Sequence, residues 1–153
     1  MHNFNIQLEW TGNKGLGTQD YKAYSRDHKI GDEHKSSLIL GTSDPNFRGD
    51  PSRYNPEELL IASLSSCHML WYLHLCADNG IVVLEYNDNT KGQMRINSDG
   101  SGEFELVVLC PKVRVKDPSM ISKAEELHER AHEMCFIARS VGFEVKIEAR
   151  VES

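Results

Sequence analysis

The chain has no pair of cysteines at CxxC spacing, no glycine-rich loop of the kind that cradles nucleotide phosphates, and no apolar run long enough to cross a bilayer without polar interruption. Each absence excludes something. Without CxxC pairs, Cys67, Cys76, Cys110 and Cys135 form neither a zinc knuckle nor a local dithiol motif. With 153 residues and 39% hydrophobic content the chain can build its own core, so it needs no disulfide staples. Basic residues are scarce and scattered: 17 Lys and Arg against 23 Asp and Glu leave a net charge of −6. That balance argues against nucleic acid or an anionic membrane surface as a partner. The opening MHNFNIQLEW lacks a basic stretch followed by an apolar one, so no secretory signal is read there. The expectation is one soluble, cytoplasmic domain over residues 1–153.

What the chain does have is the stretch from Asn55 to Gly80, NPEELLIASLSSCHMLWYLHLCADNG. Asn55 suits an N-cap, Pro56 the first helical position and Glu58 the third position of a capping box, while Asn79-Gly80 supplies the stop. Between these signals the apolar residues leave no wide polar stripe, which predicts a central helix covered by protein on most sides. Cys67 lies in its middle. Residues 5–10 alternate as a strand, and Tyr21–His28 and Ser37–Leu40 read as two more, giving an antiparallel meander. The segment 41–54, with Pro45, Gly49 and Pro51, is a long connection of the kind that often carries function.

Beyond the central helix, strands are expected over 81–86, 92–96, 104–110 and 112–116. Asp117-Pro118-Ser119 then starts an amphipathic helix with Ile121, Ala124, Leu127, Ala131 and Met134 on one face, and 142–151 alternates as a final strand. This order is α+β with largely antiparallel sheet.

The second helix holds a literal HExxH, His128-Glu129-Arg130-Ala131-His132, which can set two imidazoles around zinc with the glutamate as base. Its extended form fails, because Cys135 and Ala138 stand where Gly and His belong. A zinc hydrolase is therefore carried only as a rival. Cys76 and Cys110 read as core, and His68 and His74 as hydrogen-bonded side chains of the helix surface. Cys67 beside Ser66 and His68, and Cys135 between Glu133 and Arg139, stand in more polar company. A peroxide-reacting thiol needs a cation to hold it as thiolate and a second thiol within reach.

Asn-Pro-Glu-Glu-Leu-Leu at 55–60, Ser-Ser-Cys-His-Met at 65–69 and His-Glu-x-Cys at 132–135 together resemble the OsmC/Ohr family of osmotically inducible and organic hydroperoxide resistance proteins. The resemblance implies an intertwined homodimer whose antiparallel sheets wrap long central helices. It also implies a thiol peroxidase with an organic hydroperoxide as substrate and a dithiol, such as a lipoyl-bearing protein, as reductant. No metal, flavin or nucleotide cofactor is implied. Cys67 is similar to the peroxidatic cysteine, Cys135 to the resolving one, and Glu57 to the carboxylate that orients an arginine. Arg26 matches the arginine of the Ohr branch and Arg48 that of the OsmC branch. Phe136 stands where a proline commonly follows the second cysteine. The family reading has a rival of a different class, a dimer of the same fold that binds or senses without turning peroxide over.

Ten residues of helix separate Glu57 from Cys67, about 15 Å of rise. Any thiol that Glu57 serves therefore belongs to a second subunit.

Overall fold

A computed structural model describes all residues from Met1 to Ser153. The chain packs as two compact units, Met1–Leu60 and Ile61–Ser153.

In the first unit, β1 (Leu8–Trp10), β2 (His28–Ile30) and β3 (Ile39–Gly41) form an antiparallel sheet in that order, with Leu8 opposite Ile30 and Lys29 opposite Leu40. The meander is as expected, but its second strand starts later. Residues 21–24 form turns, because the Asp20 carboxylate accepts the Lys22 N–H at 2.8 Å and the Asp20 carbonyl accepts that of Ala23. A short 3-10 turn, Pro45–Phe47, breaks the long connection that follows β3.

Helix α1 (Pro56–Asp78) begins where the capping signals place it. The Asn55 side chain accepts the Glu58 N–H at 2.8 Å and the Glu58 carboxylate accepts the Asn55 N–H at 3.0 Å, a complete capping box. Asn55→Ala is expected to lower unfolding free energy by about 1 kcal/mol, measured by chemical denaturation, because the orphan donor of Glu58 loses its partner. At the other end Gly80 takes φ +70°, and Ile81 and Gly80 donate to the carbonyls of Cys76 and Ala77. This is the left-handed stop that a side chain would strain.

The expected burial of α1 needs correction. Only Leu64, His68, Tyr72 and Cys76, one stripe at four-residue spacing, are buried, and Leu70 is 63% exposed. The sequence shows apolar residues all round, but a single chain covers one side of the helix. At 23 residues α1 is also long and apolar enough to cross a membrane by that measure alone. Its polar residues are nevertheless engaged within the protein: Ser65 donates to Asp88 at 2.5 Å and His68 pairs with His128.

The second unit holds two further three-stranded sheets. One is β4 (Val83–Asp88), β7 (Pro111–Val115) and β9 (Arg150–Glu152), the other β5 (Lys91–Ile96), β6 (Gly102–Leu109) and β8 (Glu144–Ile147), each in that order. Alternation through 142–151 predicts one strand, but the chain divides it: β8 runs parallel to β6, and β9 parallel to β7. Glu148 N–H bonds the Leu109 carbonyl at 2.8 Å at the changeover.

The connections β4 to β5, β6 to β7 and β8 to β9 all pass from one sheet to the other. Asp88 ties this seam together by accepting from Ser65, Thr90 and the Cys110 N–H. Helix α2 (Ile121–Met134) follows a 3-10 turn, Pro118–Met120, capped by Asp117. Tyr72 and Cys76 pack with Val113, Val115, Ala124, Leu127 and Ala131 as one core cluster. Leu64, Val107 and Leu109 form the centre of a second.

Candidate active site

Cys67 is half-buried on α1, and Cys135 lies buried at the C-terminal end of α2, 1% exposed. Helices α1 and α2 share one core cluster, and Cys67 and Cys135, both free thiols, lie close enough to influence each other electrostatically. Burial raises the Cys135 thiol to about 11, and the neighbouring Cys67 adds to the rise against the opposing pull of the Ala138 and Ile137 N–H groups. Cys135 is thus a protonated thiol at neutral pH. After it the chain turns sharply: Ala138 N–H reaches the Cys135 sulfur at 3.4 Å, and Arg139 N–H bonds its carbonyl. A 3-10 turn, Ala138–Ser140, holds this geometry.

An aromatic pair that sequence reasoning did not single out accompanies the thiols. Trp71 is one helical turn beyond Cys67, Phe136 directly follows Cys135, and their rings meet edge to face at 5.6 Å. Phe136 is 65% exposed and forms an apolar lip. The only hint in the sequence was the four-residue spacing of Trp71 from Cys67.

Arg26 sits within the first unit, where its guanidinium donates to the carbonyls of Tyr24 at 2.7 Å and Tyr21 at 2.8 Å. It also lies over both tyrosine rings, 4.2 and 4.3 Å from their centroids. No carboxylate pairs with it. Arg48 is exposed, ends the 3-10 turn with φ 69°, and is the one non-glycine residue at positive φ. Glu57, in the first turn of α1, has a buried Oε2 without a hydrogen-bond partner. The helix is unbroken from Pro56 to Asp78, so the separation of about 15 Å along it between Glu57 and Cys67 stands.

The first histidine of HExxH is drawn into the core. His128 is buried, with its Nδ1 3.0 Å from Nε2 of His68, and the Tyr72 ring stacks on it at 3.9 Å. Glu129 is exposed, and no three His, Cys, Asp or Glu side chains are grouped to hold a metal ion. Burial lowers His68 to about 4 and His128 to about 3, with neighbouring imidazoles adding to both shifts, so the pair is neutral at physiological pH. Cys76 is core as expected, and burial raises its thiol above the ordinary value. Cys110 is not: it is half-buried at the seam between the sheets. His74 lies exposed, 3.4 Å from Asp78.

The OsmC-like protein family model matches residues 49–150. No curated protein matches the sequence. Among solved structures, an OsmC-like protein of unknown function from Vibrio cholerae is 33% identical, covering 98% of this chain and 100% of its own, with TM-score 0.87. An organic hydroperoxide resistance protein from Elizabethkingia anophelis, with thiocyanate bound, is 18% identical with TM-score 0.68 over 99% and 98% of the two chains. One from Legionella pneumophila is 14% identical with TM-score 0.65 over 100% of both. At those identities the last two show the shared fold.

Proposed function

The chain belongs to the OsmC-like family, and from that membership together with its paired thiols we propose that it reduces organic hydroperoxides with Cys67 as the reacting group. The Cys67 thiolate attacks the terminal oxygen of ROOH, the O–O bond breaks, and the alkoxide takes a proton to leave as ROH while Cys67 becomes a sulfenic acid. Cys135, deprotonated as it reacts, attacks that sulfur, so a Cys67–Cys135 disulfide forms and water leaves. An external dithiol restores both thiols by two exchange steps. The observation that carries the reading is that Cys67 and Cys135 are neighbouring free thiols in the folded chain.

Of the two candidate arginines, we propose Arg26 rather than Arg48 as the cation that activates the reacting thiol. Its side chain is fixed by two carbonyls and two aromatic faces and carries no competing carboxylate, whereas Arg48 is exposed. Arg26→Gln is expected to lower the second-order rate with hydroperoxide about 10²-fold while leaving disulfide reduction unchanged. Stopped-flow traces of the two half-reactions separate these effects.

The apolar side of α1 that one chain leaves open, including Leu70, supports a homodimer, in which Glu57 would serve the thiol of the second subunit. The four free cysteines fit a reducing compartment, and we place the protein in the cytoplasm.

Steady-state consumption of an aryl hydroperoxide with a dithiol reductant tests the reading. The Trp71–Phe136 lip predicts a higher kcat/KM for the aryl hydroperoxide than for hydrogen peroxide. No turnover of either would refute the assignment.

A further inference from the structure

The seam at which three chain segments change sheets contains a hollow of about 410 Å³, within the range of small-molecule sites. Lys91 from the start of β5, Lys112 from β7 and Arg150 from the start of β9 line it, with Cys110 and Ala149 between them. Elsewhere in this unit Lys116 and Arg139 stand outside any ion pair, whereas Arg95, Arg114, Lys123, Arg130 and Lys146 each pair with a carboxylate. The three cations of the hollow do not, and the one carboxylate beside them, Glu148, forms no ion pair with any of them.

The register makes this arrangement costly. Lys112 and Arg150 are direct partners on adjacent strands, so two like charges stand side by side at the rim of one cavity. Such a pair repels unless a counter-charge lies between its members. In a chain of net charge −6, three unneutralised cations drawn from three strands into one hollow run against the overall balance.

We infer that this hollow is an anion-binding site for a small molecule bearing two or more phosphate or carboxylate groups. Lys112 and Arg150 would grip one anionic group, the arginine through its planar fork, and Lys91 would take a second from the opposite sheet. The site involves neither Cys67 nor Cys135, so it stands or falls independently of the proposed peroxidase activity.

Cys110 provides a built-in reporter, because a ligand seated between the cations would cover its half-buried sulfur. The experiment follows iodoacetamide labelling of Cys110 by peptide mass spectrometry, together with Tm, at low ionic strength during titration with pyrophosphate or citrate. Both measurements are repeated on Lys112→Gln, Arg150→Gln and Lys91→Gln, three changes of exposed side chains. Saturable slowing of Cys110 labelling with a rise in Tm is expected, with Kd weakened about tenfold or more in the Lys112 and Arg150 variants and by added salt. Stronger protection by pyrophosphate identifies a phosphate-bearing ligand, stronger protection by citrate a polycarboxylate, and equal protection a site that reads charge alone. The inference is overturned if neither anion protects Cys110 at millimolar concentration, or if the variants respond as the wild type does.

Discussion

Cys67→Ser is expected to eliminate hydroperoxide reduction, with the second-order rate falling at least about 10³-fold, because a serine hydroxyl supplies no thiolate at neutral pH. The matching change at Cys135 has a different signature. Cys135→Ser should consume one equivalent of hydroperoxide and stop at a sulfenic acid, seen as a mass gain of about 16 Da on Cys67. The asymmetry follows from the environments of the two thiols. Cys135 is buried and raised to about 11, so it is almost wholly protonated when peroxide arrives, whereas Cys67 is the more accessible of the two. The same elevation predicts that disulfide closure in the wild type accelerates as pH rises from about 7 to 9, since the attacking Cys135 must lose its proton. Stopped-flow measurement of sulfenic acid decay checks this, and a pH-independent decay would argue against Cys135 as the attacking thiol.

The second large effect concerns stability in acid. His68 and His128 are buried, hydrogen-bonded to each other and held neutral, at about 4 and about 3 against 6.5 for a free imidazole. Below pH 6.5 the unfolded chain therefore takes up protons that the folded chain refuses, and stability falls with pH until the folded values are reached. Above pH 6.5 neither state gains a proton at these residues and their contribution is flat. At a pH near 5 the loss is roughly 2 kcal/mol per histidine, well before most carboxylates titrate. Urea unfolding at pH 7 and pH 5 should show it, and His128→Gln, which keeps a neutral hydrogen-bonding group, should lose about half as much between the two. An unchanged slope in that variant would mean that acid sensitivity arises elsewhere. Tyr72, stacked on His128 and raised by burial above its ordinary range, stays un-ionised throughout.

Local signals in the sequence mark the helices well. Asn55, Pro56, Glu58 and Gly80 act where they stand, through hydrogen bonds no more than a few residues long, and the capping box and left-handed stop appear as read. Features that depend on distant residues were less legible. Residues 143, 145, 147 and 149 alternate without a break, so nothing local marks the change of sheet at Glu148, which is fixed by the carbonyl of Leu109. Tyr21–Tyr24 has the composition of a strand, yet Asp20 and the guanidinium of Arg26 take over its backbone groups. HExxH matched a pattern for zinc, but His128 already has a partner in His68, 60 residues away in sequence.

The meeting of Cys67 and Cys135 is of the same kind. Composition and spacing offered two thiols in polar company, and only the resemblance of three separate motifs to one family paired them. The aromatic lip shows the limit of that resemblance, since Phe136 replaces the expected proline and its contact with Trp71 belongs to this chain.

The most direct test of the central claim is peptide mapping by mass spectrometry after one equivalent of an aryl hydroperoxide is added to the fully reduced protein. A single Cys67–Cys135 disulfide is expected, with Cys76 and Cys110 still free. An unmodified Cys67, with no link to Cys135, would contradict it.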